Sequence, residues 1–299
     1  MTWFESIIMG IVEGLTEFLP VSSTGHLIVT RYLLQLGESD TLKAFEVCIQ
    51  GGAILAVLGL YRKRVGEMFA GLSGKSADGR RLLINLILGF LPAAVLGLLF
   101  DDYIKQYLFN EKTVMITWAL GGLVILLYSR HRAKLGREAY FGGKPLEQLS
   151  PGGALGIGFM QCIAMCPGTS RSLMTMLGGL SVGLSMAAAV EFSFLLGLIT
   201  LGAATCYDAV KHGQDMIEQL GWQPIIIGTV VAWISAVISV RWMVGYLNRH
   251  GLAFFGWYRL AAAAVMLILI CKGLSFDAED EDPAPDQPAQ AAIAPADPA

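Results

Sequence analysis

Two carboxylates, a run of hydroxyls and an imidazole sit close together in Glu13-Gly-Leu-Thr-Glu17-Phe-Leu-Pro20-Val-Ser22-Ser23-Thr24-Gly25-His26, within a sequence otherwise rich in apolar side chains. The residues leading into it, Phe4, Ile7, Ile8, Ile11 and Val12, have helical spacing, so Glu13 and Glu17 at i and i+4 share a face. Stacked carboxylates in an apolar setting repel each other and resist desolvation, unless a cation lies between them or one holds a proton. Pro20 ends this helix, and Ser22, Ser23 and Thr24 supply hydroxyls and an N-cap for a second helix through His26, Leu27, Ile28 and Val29. The free N–H groups and positive dipole end of such a helix start bind phosphate. Carboxylates able to hold a divalent metal would thus face a phosphate cradle, with an imidazole one turn further on. That is equipment for phosphoryl transfer.

The elements that must carry these residues belong in a membrane. The chain has 299 residues, 55% hydrophobic and 15% charged, which excludes an ordinary soluble domain. No removable signal peptide is expected, because the first residues lack a basic start and include Glu5, Glu13 and Glu17. Cys48, Cys162, Cys166, Cys206 and Cys271 all fall in apolar segments and read as small buried hydrophobes.

Residues 3–36 form two apolar stretches, each too short to cross a bilayer, and read as a re-entrant helix pair. Spans are expected near 42–60, 82–100 and 113–129, and again near 187–206, 224–240 and 254–271. The loop 61–81 carries Arg62, Lys63, Arg64, Lys75, Arg80 and Arg81, and the loop 130–148 carries Arg130, Arg132, Lys134, Arg137 and Lys144. The positive-inside rule puts both in the cytoplasm. Between 150 and 180 lies a second interrupted stretch, so a re-entrant pair followed by three spans occurs twice in opposite orientation. Internal matches agree: Pro20-Val-Ser22-Ser23-Thr24 against Pro167-Gly-Thr169-Ser170-Arg171, Gly10-x-x-Glu13 against Gly158-x-x-Gln161, and Ala44-Phe45-Glu46 against Val190-Glu191-Phe192. The expected fold is an all-α polytopic membrane protein, six transmembrane helices plus two re-entrant pairs in an inverted-topology repeat. Residues 1–148 form the first repeat, 149–275 the second, and 276–299 a disordered acidic, Pro- and Ala-rich tail.

The repeat brings the broken stretches together near the membrane midplane, where Arg171 would share a cavity with Glu13, Glu17 and His26. An arginine fork suits phosphate oxygens. Glu13 and Glu17 are the metal candidates, and Glu17 also a catalytic one. Ser23 is a candidate nucleophile or phosphate ligand, with Ser22 and Thr24 in the cradle. His26 is the candidate general base or acid, or itself the group that takes the phosphoryl. Gly168, Ser170, Ser172 and Thr175 are candidates for a second cradle. Glu46, Gln50, Gln161 and Glu191 are intramembrane polar groups that either support the site or hold helices together.

These motifs resemble the undecaprenyl-pyrophosphate phosphatase family of bacterial inner membranes, the bacitracin-resistance type. The resemblance rests on the Glu13–His26 signature and on Pro167-Gly168-Thr169-Ser170-Arg171-Ser172, with Phe45-Glu46, Glu191-Phe192-Ser193-Phe194 and Phe255-Gly-Trp-Tyr258-Arg259 as further blocks. It implies hydrolysis of a C55 polyprenyl diphosphate to the monophosphate and inorganic phosphate, recycling the lipid carrier of peptidoglycan synthesis and giving resistance to bacitracin. It also implies a divalent cation, Mg²⁺ or Ca²⁺, and an active site open to the periplasmic or outer face of the inner membrane. Both termini are expected to be extracytoplasmic. The expected partners are that lipid and the membrane, not nucleic acid, and a homodimer is left open. The rival reading is a lipid-phosphate or ion-coupled transporter on the same inverted-repeat scaffold.

Overall fold

The computed structural model describes residues 1–37 and 39–273, so the expected tail at 276–299 lies outside the described residues. The chain folds into twelve α-helices and no named strand among the described residues. Six of them are long and apolar enough to cross a membrane. These are α3 (Asp40–Leu60), α5 (Ala77–Leu108), α6 (Glu111–Lys134), α10 (Met186–Leu220), α11 (Trp222–His250) and α12 (Ala253–Cys271). Shorter helices form two pairs, α1 (Trp3–Thr16) with α2 (Ser23–Leu33), and α8 (Pro151–Ile163) with α9 (Arg171–Ser181). The remaining helices, α4 (Arg62–Leu72) and α7 (Arg137–Phe141), lie in segments expected as loops.

Helix starts follow their caps. Ser39, Ser76, Asn110, Ser150 and Ser185 each accept a hydrogen bond from a backbone N–H in the first turn. Thr2 and Glu5 close a capping box at α1. The stretches between the expected spans at 101–112 and 208–223 are mostly helix: α5 runs to Leu108 and α10 to Leu220, where Gly221 at φ 72 makes the turn. Hydropathy marks where lipid ends, and a helix continues past that point while its backbone bonds are satisfied.

The two short pairs dock alike. α1 packs on α11, and α8 packs on α5, while α3 meets α10 and α6 meets α12. Both short-helix crossings are made at glycines. A Cβ on Gly10 would lie 2.5 Å from the Gly228 carbonyl oxygen, and one on Gly158 would lie 2.6 Å from that of Gly89. Small residues of this kind let helix backbones approach in a bilayer.

Candidate active site

α1 ends at Thr16, and Glu17 caps it with its N–H still bonded to the Glu13 carbonyl at 2.9 Å. The two glutamates therefore do share a face, as their spacing predicts. The chain then turns through Pro20 to Ser22, whose φ of 72° and ψ of 104° are unusual for a residue with a side chain. Ser170, before α9, has φ 74° and ψ 113°. The backbone thus pairs Ser22 with Ser170, which moves the loop match one residue from the register suggested by the two prolines. Gly10 with Gly158 and Glu13 with Gln161 keep the same spacing as this new pair. Ser23 and Arg171 become equivalent, each the first residue of its helix.

Both converge on Glu17. Ser23 Oγ donates a short hydrogen bond to Glu17 Oε2. Arg171 Nη2 donates to Glu17 Oε1 at 3.3 Å, and its Nη1 donates to the Ser193 carbonyl at 3.2 Å. The guanidinium also lies 5.4 Å over the Phe18 ring. A Cβ on Gly197 would collide with it, so the glycine in α10 makes its berth.

These groups face a cavity of about 180 Å³ whose walls include Glu17, Ser22, Ser23, Thr24, Gly168 and Arg171, together with Ser170 and Gln50. The N-terminal ends of α2 and α9 meet here. The Ser22 hydroxyl makes no capping bond to α2, whereas Ser170 Oγ accepts the Leu173 N–H at 3.3 Å. The first turn of α2 thus keeps N–H donors that no serine side chain caps, an anion-binding arrangement.

Behind Glu17, Glu13 is 1% exposed, and no donor reaches either of its carboxylate oxygens. The charged groups that act on it are Glu17, Glu46 and Arg171. An orphaned, buried carboxylate beside a second one fits a divalent cation. No group of three or more His, Cys, Asp or Glu that could hold a metal occurs among the described residues. Further ligands would therefore come from hydroxyls, water or phosphate oxygens, as Mg²⁺ sites at phosphates commonly use.

Other expected site residues are placed elsewhere. His26 is not on the cavity wall. Its Nδ1 lies 2.6 Å from the Ser22 carbonyl oxygen and its Nε2 lies 2.7 Å from the Tyr258 hydroxyl. A carbonyl only accepts, so Nδ1 carries a proton, and in the neutral ring Nε2 accepts from the Tyr258 hydroxyl. Ser172 Oγ donates to the Leu19 carbonyl at 2.8 Å and lies 3.0 Å from Ser170 Oγ, lashing the second loop to the first. Thr175 is fully buried and lies 2.6 Å from Ser193 Oγ against α10. Neither Ser172 nor Thr175 lines the cavity, so the expected second cradle shrinks to Gly168 and Ser170, beside Arg171.

Of the four polar groups inside apolar segments, Gln50 reaches the cavity wall directly. Glu46 pairs with Arg31 at 3.2 Å. Gln161 Oε1 accepts from Thr200 at 3.3 Å. Glu191 turns away from the site to Arg64 Nε at 2.6 Å: α3 packs on α10, and Arg64, in the first turn of α4 just beyond the end of α3, meets both Glu191 and Glu147, the latter at 2.9 Å.

One residue in the site had no role assigned from sequence. Arg259 is 0% exposed, and among the described residues its guanidinium donates to backbone carbonyls. Nη2 reaches Gly168 at 2.8 Å and Thr117 at 2.9 Å, Nη1 reaches Pro20 at 3.4 Å, and Nε reaches Trp118 at 3.4 Å. It therefore holds one carbonyl from each broken stretch. Its sequence signals are an arginine placed inside an apolar run and its place in the Phe255–Arg259 block.

The chain matches the family model described as Bacitracin resistance protein BacA over residues 6–265. It belongs to the BacA family. Among curated relatives, an undecaprenyl-diphosphatase of Methylococcus capsulatus is 44% identical over 272 residues, covering 91% of this chain and 96% of its own length. One from Nitrosomonas europaea is 43% identical over 278 residues, covering 92% and 98%. Undecaprenyl-diphosphatase 1 of Chromobacterium violaceum is 42% identical over 264 residues, covering 88% and 95%. The match spans the Glu17 cavity, both broken stretches and Arg259.

Proposed function

We propose that this BacA-family chain hydrolyses undecaprenyl diphosphate to undecaprenyl phosphate and inorganic phosphate. The observation that carries this reading is the Glu17 carboxylate, tied on one side to a hydroxyl and on the other to an arginine, at a cavity where two helix N-termini meet. The names of the close relatives supply the substrate. The transporter alternative has no support in those names, and an anion carrier needs no hydroxyl bonded to a buried carboxylate.

In this reading the terminal phosphoryl group lies against the α2 N–H groups and Arg171, which takes up charge on the bridging oxygen as that P–O bond breaks. Ser23 Oγ attacks the terminal phosphorus while its proton passes to Glu17, and the lipid monophosphate leaves. Glu17 hands that proton to the departing monophosphate, and water then hydrolyses the phosphoserine, its proton passing through Glu17 to the Ser23 oxygen as that P–O bond breaks. A divalent cation held by Glu13 and Glu17 would neutralise phosphate charge when bound. His26 acts from outside the cavity by holding the Ser22 carbonyl, and so the unusual backbone of the loop. An apolar groove of about 340 Å³, with Leu19 and Val21 of that loop in its wall, suits the prenyl chain.

We further infer that α1/α2 and α8/α9 are re-entrant pairs, and that 1–148 and 149–275 are inverted repeats in the bacterial inner membrane. The matched φ and ψ of Ser22 and Ser170 and the matched glycine crossings support this. The basic segments after α3 and α6 favour a cytoplasmic position for those ends, leaving the cavity open to the periplasm.

The deciding assay is phosphate release by purified protein from a polyprenyl diphosphate, with Mg²⁺ or Ca²⁺ and then excess chelator. Release that stops with chelator and in Glu17→Gln fits the proposal. No release from folded protein would overturn it.

A further inference from the structure

A groove of about 880 Å³ lies far from the catalytic cavity, between the C-terminal half of α6, α7 and the corner joining α11 to α12. Its apolar length is formed by Leu123, Leu127, Leu260 and Trp257, and Arg130, Arg137 and Arg249 stand among its lining residues. The catalytic cavity abuts the start of α6, where Val114 and Thr117 back onto Gly168. Arg130 is roughly 20 Å further along that helix at 1.5 Å per residue. None of Glu17, Ser23 and Arg171 lines the groove.

The polar groups of its floor are already paired. The Tyr140 hydroxyl donates to Ser129 Oγ at 3.1 Å and accepts the Leu252 N–H at 3.2 Å. Tyr140 is 7% exposed, and a Cβ on Gly251 would collide with its ring, so this wall is fixed. His250 stacks on Tyr246, with ring centroids 4.6 Å apart, and its Nδ1 lies 3.3 Å from the Tyr246 carbonyl oxygen. The three guanidiniums differ. They are exposed, and none is in an ion pair with a carboxylate among the described residues. Arg137 rests 5.6 Å over the Phe141 ring, which keeps its charge beside the groove.

We propose that this groove binds an anionic phospholipid, with its phosphodiester on Arg130, Arg137 and Arg249 and an acyl chain along Leu123, Leu127 and Trp257. Basic pockets between transmembrane helices bind acidic headgroups, and guanidinium forks match phosphate oxygens. A zwitterionic lipid would bring an ammonium group to three unpaired cations, so charge selects the acidic class. A free phosphate would leave the apolar length unfilled.

The test uses the full chain in neutral detergent, with phosphatidylglycerol or phosphatidylcholine of identical acyl chains, read by native mass spectrometry and by the thermal unfolding midpoint. Phosphatidylglycerol is expected to bind with roughly hundredfold preference, given three basic residues near the headgroup, and to raise the midpoint selectively. The triple variant Arg130→Gln, Arg137→Gln, Arg249→Gln is expected to lose that preference while still releasing phosphate. Leu127→Trp, which fills the groove and leaves the charges, is expected to weaken binding of both lipids. Equal binding of the two lipids, or a preference that survives in the triple variant, overturns the proposal. Displacement of phosphatidylglycerol by equimolar polyprenyl monophosphate, dependent on the same arginines, also overturns it and assigns the groove to the reaction product.

Discussion

Ser23 and Arg171 occupy the same place in two different helices. Each follows a serine with φ above 70°, each is the first residue of its helix, and each donates to a different oxygen of Glu17. A hydroxyl and a guanidinium are thus delivered to one carboxylate by two copies of one backbone device. In the proposed mechanism these two matching turns supply a nucleophile from one side and a phosphate clamp from the other. Glu17 is the joint between them.

Glu17→Gln keeps the size of the side chain and leaves an oxygen for Arg171, but its amide cannot take the Ser23 proton. Turnover is expected to fall by roughly 10²–10⁴, the usual worth of a positioned general base. Phosphate release gives the loss, and the thermal unfolding midpoint checks that the fold survives. Activity within tenfold of the parent would remove Glu17 from the chemistry.

His26 offers a sharper discrimination. Both ring nitrogens are engaged, by Ser22 and Tyr258, and neither faces the cavity wall. His26→Ala is expected to lower kcat by about 10²-fold, the scale of a misplaced reacting group, without changing the shape of the pH–rate profile. A profile that loses its limb near neutral pH in the variant would restore the imidazole as the proton carrier.

Glu13 should matter through the cation. Its oxygens are buried and meet no donor, so Glu13→Gln puts an amide where a carboxylate was expected to meet positive charge. The variant is expected to need much more Mg²⁺ or Ca²⁺ for half-maximal activity, and to be inactivated by less chelator. An unchanged metal titration would remove Glu13 from the metal site.

Much of this site is legible in the sequence because its chemistry is unusual for its surroundings. Glu13, Glu17 and Arg171 stand out in apolar stretches, where a charge is costly and calls for a reason. Spacing also gives the shared face of the two glutamates and the positions of all six long helices. What spacing does not give is the direction of a side chain across a helix interface. Glu46 and Glu191 occupy similar sequence contexts, yet Glu191, near the start of α10, meets Arg64 in the first turn of α4, and a basic run by itself points only to a loop. His26 sits one turn into α2, near enough to be read as catalytic, and its ring turns toward α12.

The Arg64 cluster gives a prediction about stability. Arg64 bonds Glu191, Glu147 and Glu67 at once, joining α4 to α10 and to the segment before α8. Arg64→Ala is expected to destabilise the protein by roughly 1–3 kcal/mol, the scale for hydrogen bonds to charged groups. The Glu147 carboxyl is held below the usual range, first by its own backbone N–H and then by Arg64, against the opposing effect of burial. Its contribution is therefore present above the ordinary carboxylate pKa and is lost as pH falls through the lower folded value. Unfolding midpoints measured from neutral to acid pH should show the parent and Arg64→Ala converging on the acid side.

Arg259 should be the most revealing scaffold residue. Its guanidinium donates to Pro20 in one loop, Gly168 in the other, and Thr117 and Trp118 in α6, and a Cβ on Gly121 would lie 2.5 Å from it. No aliphatic or ammonium side chain spans those carbonyls in one plane. Arg259→Lys can satisfy a subset, while Arg259→Met leaves all of them without a donor, at roughly 1–3 kcal/mol for each group that stays buried and unpaired. The expected order of thermal stability is therefore parent, Lys, Met. Turnover should fall further than stability does, because slack between the loops moves Ser23 and Arg171 apart around Glu17, and a displacement of about 1 Å can cost 10²-fold in rate. In the Lys variant kcat should drop while KM stays near the parent value, since the cavity keeps its phosphate donors and loses only their register. A KM rise with unchanged kcat would mean that Arg259 attracts the anionic substrate through its charge and does not set the geometry.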